Sequence, residues 1–219
     1  VGNYITSLIN YKTVQQTVRI FQKRTQLWAK YRYTDTIELG GRNMAETLEP
    51  KLLPIFSRRS IRTYSDKPIP DGVIKELLNA AMAAPSAVGK DPWRFIVIKQ
   101  KETLLTVAEA LPNGKMLGDA GAGIIVLGDL EATHREEIGY LLQDCSAAIE
   151  NLLIAASILG LGACWLGVYP VEDRITHLKK VFSLPDTIVP VSAIALGYPE
   201  EEKPPRTRFE KSYVHHEKW

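Results

Sequence analysis

The sequence predicts an α/β (α+β) protein in which helices and strands interleave, and three observations carry that reading. Residues 71–84, "DGVIKELLNAAMAA", place Ile74, Leu77, Leu78 and Ala81 at the i, i+3, i+4, i+7 spacing of one buried helix face. Residues 123–129 are a continuous apolar run of strand length, and residues 189–199 read as a further strand. A chain of 219 residues with 45% apolar content has enough apolar surface for a sizeable core between such layers.

The elements follow in order. Asp71 reads as the N-cap of the first helix, and Pro85 closes it. "RFIVIK" (94–99) is a strand, residues 101–110 a shorter helix, and "GIIVLGD" (123–129) the next strand. A long helix covers 141–159, with Cys145, Ile149, Leu152, Ala156 and Leu159 on one face. "ACWLGVY" (163–169) is a strand, and 171–182 a helix with its cationic residues toward the C-terminal end, where the helix dipole favours them. The final strand is 189–199, followed by a polar, proline-interrupted tail that reads as an extended arm. Two segments imitate other structures. Residues 152–169 are uncharged over a length that could cross a bilayer, but Gly160 and Gly162 break the run, so helix, turn and buried strand account for it. "GDAGAG" (118–123) precedes a strand, whereas a dinucleotide fingerprint follows one, so it reads as a turn.

Residues 1–50 differ from the rest and read as an N-terminal extension, with 51–219 as the folded domain. The extension holds seven basic and four acidic residues, which leaves 20 and 21 of the chain's 27 and 25 for residues 51–219. A reading frame carried upstream of Met44 accounts for residues 1–43, as does an arm packing on a partner subunit. Near-balanced charge argues against nucleic-acid binding by general electrostatics. Cys145 and Cys164 lack metal-site or disulfide-framework spacing, which fits a reduced, cytoplasmic setting. The four histidines have no serine or cysteine partner that sequence can place, so neither a hydrolase triad nor a metal site is expected.

Two arginine clusters remain. "FSRRSIRTYSDKPI" (56–69) carries Arg58, Arg59 and Arg62 around Ser60, and no acid follows until Asp66. Alone it could be a solvated face. A second cluster, Arg206 and Arg208 beside Pro204 and Pro205, suggests two grips on one phosphate, since each charge-assisted contact contributes about 1.5–3 kcal/mol.

"RRSIRTYSDKPI", "AAPSAVGKDPWRFIVI", "DCSAAIENLLIAASILGLGACWLGV" and "ALGYPEEEKPPRTRFEKSYVHHEKW" resemble, in order, the four signature blocks of the FMN-dependent nitroreductase family over residues 52–219. The resemblance implies a central mixed, largely antiparallel sheet flanked by helices, with an extended C-terminal arm. It implies a homodimer with flavin sites at the subunit interface and no role for a membrane or nucleic acid. Arg58, Arg59 and Ser60 match positions that take the FMN phosphate and ribityl chain, and Arg62 the basic position at the pyrimidine edge of the ring. Pro85, Ser86 and Ala87 match a segment that covers the flavin from the other subunit. Leu166 and Gly167 match positions near flavin N5, Arg206 and Arg208 complete the phosphate site, and Asn113 and Lys115 stand where some members contact the ring. Residues 111–140, with Arg135 and Tyr140, are the expected lid. Gly89 and Asp91 depart from the family's asparagine and glutamine, which puts one polar contact in doubt.

The implied activity is hydride transfer from NADH or NADPH through FMN to a small electron-poor acceptor, with no catalytic side chain because the flavin carries the chemistry. Alternatives are a specialised reductase, dehalogenase-like or enone-reducing, and a flavin-binding sensor without turnover.

Overall fold

In the computed structural model of the chain, residues 49–219 are described; the N-terminal extension and both readings of residues 1–43 fall outside them but for its last two residues. Residues Lys51–Trp219 form one unit. Its elements are α1 (Leu53–Ser57), β1 (Tyr64–Ser65), α2 (Asp71–Met82), β2 (Trp93–Ile98), α3 (Lys101–Glu109), β3 (Ala122–Asp129), α4 (Ile138–Ile158), β4 (Gly162–Gly167), α5 (Glu172–Phe182) and β5 (Ile188–Pro199).

Every ladder is antiparallel. β5 pairs β3 along one edge and β4 along the other, β2 pairs the far side of β3, and β1 pairs the last two residues of β5. The parallel element is an isolated bridge, Ser60 to Ala163. The sheet thus has the largely antiparallel form that the resemblance implied.

The unbroken apolar runs of β3 and β5 result from burial on both faces. Ile124 and Val126 of β3, with Ile194 and Leu196 of β5, join the core under α2 and α4. Their neighbours Ile125, Leu127, Ala193 and Ala195 join a second core under α3 and α5. At Val126/Leu127 the register shifts, so that Val126 faces Ser192 and Leu127 faces Pro190. The extra residue, Val191, lends its carbonyl to both Val168 and Tyr169 N–H groups at 3.2 Å.

Helix α4 has the length and composition of a membrane span. Its face of Leu141, Cys145, Ile149, Leu152 and Ala156 is fully buried under the sheet, where each large apolar side chain contributes about 1.5–3 kcal/mol. It is therefore the core helix of this fold. It ends in a Schellman motif: Gly160, at φ +84°, donates to Ser157 O at 3.3 Å and Leu161 donates to Ala156 O at 2.8 Å. The chain then enters β4, so residues 152–169 are helix, turn and strand as expected.

Two local readings are corrected. Asp71 is not the N-cap of α2; Pro70 holds that position in extended geometry and no side chain caps the helix. The Asp71 carboxylate instead pairs with Lys99 just past the end of β2, whose ammonium also donates to Ile69 O at 3.1 Å. A charged partner outcompetes a local N–H for that carboxylate. The short elements α1 and β1 were not expected, because five and two residues are too few to show a period.

Candidate functional site

Two glycines seat the arginine segment on the sheet. A Cβ at Gly162 would lie 2.6 Å from Ile61 Cγ2, and one at Gly197 would lie 2.6 Å from Tyr64 Cγ, so both side chains occupy space that only glycine leaves. Ile61 N–H then bonds Ala163 O at 3.0 Å, and the Tyr64 hydroxyl donates to Ile61 O. Burial pushes the Tyr64 hydroxyl well above its ordinary value, so it stays a donor.

The C-terminal arm then laces along this segment in the opposite direction. Glu200 N–H donates to Thr63 O at 3.0 Å, Glu201 accepts from Arg62 N–H at 2.6 Å, and Lys203 Nζ donates to Ser60 O at 2.8 Å. Arg59 donates to Pro204 O, and Arg206 N–H donates to Phe56 O at 3.0 Å. This clasp carries Arg206 and Arg208 to the first arginine cluster. Arg58, Arg59, Ser60, Arg62, Arg206 and Arg208 line one cleft of ≈ 560 Å³. The two clusters, some 145 residues apart in sequence, thus line one cleft.

One acid lines the same cleft. Glu150 of α4 lies 2.9 Å from Arg58 Nε, an ion-pair separation at which the N–H direction misses hydrogen-bond geometry and leaves Nε without a hydrogen-bond partner. Lys203 also lines it and pairs with Glu201 at 2.9 Å. Neither Glu150, Glu201 nor Lys203 was identifiable beforehand. Glu150 lies in a helix 92 positions after Arg58, and Glu201 and Lys203 sit in a charged run that reads as solvated tail.

Arg62 lines a second cleft too, of ≈ 620 Å³, together with Asn113, Lys115, Leu166, Gly167 and Arg174. Its wall is the open edge of β4. Backbone hydrogen bonds alternate along an antiparallel strand. Val168 N–H faces β5 and Ala163 O faces Ile61, so the polar groups of Trp165 and Gly167 point away from β5. The Gly167 carbonyl accepts from Arg174 Nη1 at 2.8 Å, and a Cβ at Gly167 would meet no atom within 4 Å. Room and backbone polarity coincide there. Trp165, 38% exposed, also lines the cleft, and the sequence reading passed over it. Cys164 also lines the cleft; burial raises its thiol pKa while Arg62 and Lys203 oppose the shift, so the group is protonated and unsuited to nucleophilic attack.

Pro85, Ser86 and Ala87 line neither cleft of their own chain. They open a loop in which Ser86 Oγ donates to Asp91 Oδ1 at 2.5 Å and accepts from Asp91 N–H at 3.0 Å. Ala87 N–H donates to Asp144 Oδ1 at 2.9 Å. Asp91 is therefore a loop-closing residue, and Gly89 takes a φ of +64° that a side chain would strain. Arg135 and Tyr140, expected in a lid, line neither cleft, whereas the 111–116 part of that stretch lines the second.

Comparison with known proteins gives concordant matches. The Nitroreductase family profile matches residues 55–113 and 105–198. A protein of Methanothermobacter thermautotrophicus, provisionally named an NADH dehydrogenase/NAD(P)H nitroreductase, is 43% identical over 88% of this chain and 98% of its own. A nitroreductase from Desulfovibrio desulfuricans, provisionally so named and solved in complex with FMN, superposes with a TM-score of 0.68 at 30% identity, over 79% of this chain and 99% of that one. An FMN-dependent nitroreductase of Clostridium difficile superposes with a TM-score of 0.71 at 26% identity, over 77% of this chain and 99% of its own.

Proposed function

The chain belongs to the nitroreductase family, and from that premise we propose that it is an NAD(P)H-dependent FMN oxidoreductase acting on small electron-poor acceptors such as nitroaromatics or quinones. The observation that carries the reading is that Arg62 stands in two adjoining clefts of different chemistry. One is rich in cations and suits a phosphate. The other is walled by an open strand edge and suits a flat heteroaromatic ring.

The residues fit FMN on their own chemistry. Arg58, Arg59, Arg206 and Arg208, with the Ser60 hydroxyl, would hold the phosphate and ribityl chain, and the ion pair of Arg58 Nε with Glu150 orients that guanidinium in the cleft. Arg62 lies toward the pyrimidine edge, where its charge stabilises negative charge developing on the ring. Asn113 and Lys115 would contact the ring, and Leu166 and Gly167 would present the strand edge to it, with the missing Cβ of Gly167 leaving the approach free. When bound, FMN would supply the redox chemistry, with NADH or NADPH as hydride donor and a small electron-poor molecule as acceptor in a ping-pong sequence. The protein supplies orientation, charge and exclusion of side reactions.

Two copies make the working unit in this reading. The Pro85–Ser86–Ala87 loop, outside both clefts of its own chain, covers the flavin of the partner. Apolar residues of the C-terminal arm that stand in solvent, such as Phe209 at 61% exposure, are covered in the dimer. The free buried thiols Cys145 and Cys164 suit a cytoplasmic setting.

The test is an absorbance spectrum of the purified protein before and after NADH or NADPH. Flavin bands that bleach anaerobically on addition of a nicotinamide and return with an acceptor are expected. Protein that takes up no FMN overturns the reading, and FMN that neither nicotinamide bleaches makes the chain a flavin-binding protein without turnover.

A further inference from the structure

We propose that Arg174 is a specificity residue that recognises an oxyanion, a carboxylate or phosphate, on the molecule entering the cleft beside Gly167. The inference rests on the functional reading above, in which that cleft holds the flavin ring and Gly167 lies near its reactive edge.

Three observations support it. First, Arg174 is held at the place where a reacting molecule must arrive. Its Nη1 donates to Gly167 O at 2.8 Å, and Gly167 faces open space. Second, its charge is not neutralised. No acidic side chain forms an ion pair with it among the described residues, and the Glu172 and Asp173 carboxylates that precede it in the first turn of α5 do not line the cleft. One of its N–H groups is committed to a backbone carbonyl, which fixes the guanidinium and leaves the remaining donors of a planar fork available. Third, the cleft has one sign. Arg62, Lys115 and Arg174 are its charged lining residues and no carboxylate accompanies them. The phosphate of FMN does not need Arg174, because the adjoining cleft already gathers four arginines besides Arg62, and Lys203, for it.

An oxyanion of this kind has two sources, a carboxylate on the acceptor or the 2′-phosphate that distinguishes NADPH from NADH. Equilibrium binding to the FMN-loaded full chain, measured by calorimetry, separates them. The probes are benzoate against benzamide, and adenosine 2′,5′-bisphosphate against 5′-AMP. The variants are Arg174→Gln, which can still donate to Gly167 O but has no charge, and Arg174→Lys, which keeps the charge without the fork. Arg174→Gln is expected to weaken one anionic probe about tenfold while leaving its partner probe within about twofold, and Arg174→Lys to recover part of the loss. Loss of benzoate binding assigns the oxyanion to the acceptor, and loss of bisphosphate binding assigns it to the donor. Kd values that change alike within each pair, or not at all, overturn the proposal and leave Arg174 a structural anchor of β4. The flavin spectrum of the same sample decides the functional reading separately: a colourless chain removes that reading, whereas a yellow chain indifferent to Arg174 removes only this one.

Discussion

Glu201 holds Arg62 by its main chain. Oε1 accepts from the Arg62 N–H at 2.6 Å while Oε2 pairs with Lys203 Nζ at 2.9 Å, and the same ammonium donates to Ser60 O at 2.8 Å. The Arg62 N–H and then Lys203 lower the Glu201 carboxyl below its usual range. A lowered carboxylate stabilises the fold above its ordinary pKa, and that contribution disappears as pH falls through the lowered value. The clasp should therefore be intact at neutral pH and throughout the range above the ordinary glutamate value, and open only on acidification beyond it. Comparing FMN Kd for the wild type and Glu201→Gln from neutral to acid isolates this effect, because titration of the FMN phosphate is common to both. The variant should bind more weakly at pH 7 and converge with the wild type in acid. A constant ratio across the range would show that the charge on Glu201 is irrelevant to the clasp.

Arg208 is exposed and reaches the phosphate-suited cleft from the tail, so its removal should affect binding without affecting folding. Loss of one charge-assisted contact worth about 1.5–3 kcal/mol corresponds to a roughly tenfold to hundredfold rise in FMN Kd. Arg208→Ala should show that rise in flavin fluorescence titration, with a Tm of the apoprotein within about 2 °C of wild type, since surface substitutions change stability by under about 0.5 kcal/mol. An unchanged Kd removes Arg208 from the site.

Gly162 and Gly167 stand in the same strand and should respond oppositely to alanine. At Gly162 the new Cβ meets Ile61 at 2.6–2.7 Å, so Gly162→Ala should cost about 1–3 kcal/mol in urea denaturation and loosen the arginine segment that Ile61 anchors. At Gly167 nothing lies within 4 Å, so Gly167→Ala should fold normally. Its methyl group would occupy the approach to the strand edge, and stopped-flow reduction by NADH or NADPH should slow by about tenfold or more, as a misplacement near 1 Å costs up to about a hundredfold. Normal reduction in Gly167→Ala would place the reacting face elsewhere.

The sequence made the long elements legible because burial imposes a period on them. Ile74, Leu77 and Ala81 mark α2, and the unbroken runs of β3 and β5 reflect cores on both faces of the sheet. The two arginine clusters were visible as composition, and their convergence was inferable from the resemblance. What brings them together was not. The clasp consists of backbone and side-chain bonds between residues 56–63 and 200–206, and nothing in either segment encodes its partner. Arg174 was hidden for a similar reason. It occupies an ordinary position in a predicted helix, and its importance lies in the Gly167 carbonyl seven residues earlier. Asp71 failed as a cap because Lys99, distant in sequence, is near in space.

Asp144 supports the loop that is proposed to cover the partner's flavin. It is 5% exposed, its Oδ1 accepts from Ala87 N–H at 2.9 Å, and its Oδ2 is buried without a hydrogen-bond partner. Asp144→Ala leaves the Ala87 N–H unpaired and should destabilise the chain by about 1–3 kcal/mol, the cost of one unsatisfied buried donor. Asp144→Asn keeps an acceptor at the Oδ1 position, so its loss should be smaller. Hydrogen exchange reports where the damage falls: amides of residues 86–91 should exchange faster in Asp144→Ala, while those of β3 and β5 keep the protection of the core. Because the proposed function has this loop cover the partner's site, mixing Asp144→Ala subunits with Arg208→Ala subunits tests the assignment. With the loop covering the partner's flavin, a heterodimer has one site with both the altered arginine and the altered loop and one site with neither. One site that binds FMN as the wild type does, beside one doubly impaired site, is therefore expected. If the loop served its own chain instead, each site would carry one defect and both would be impaired.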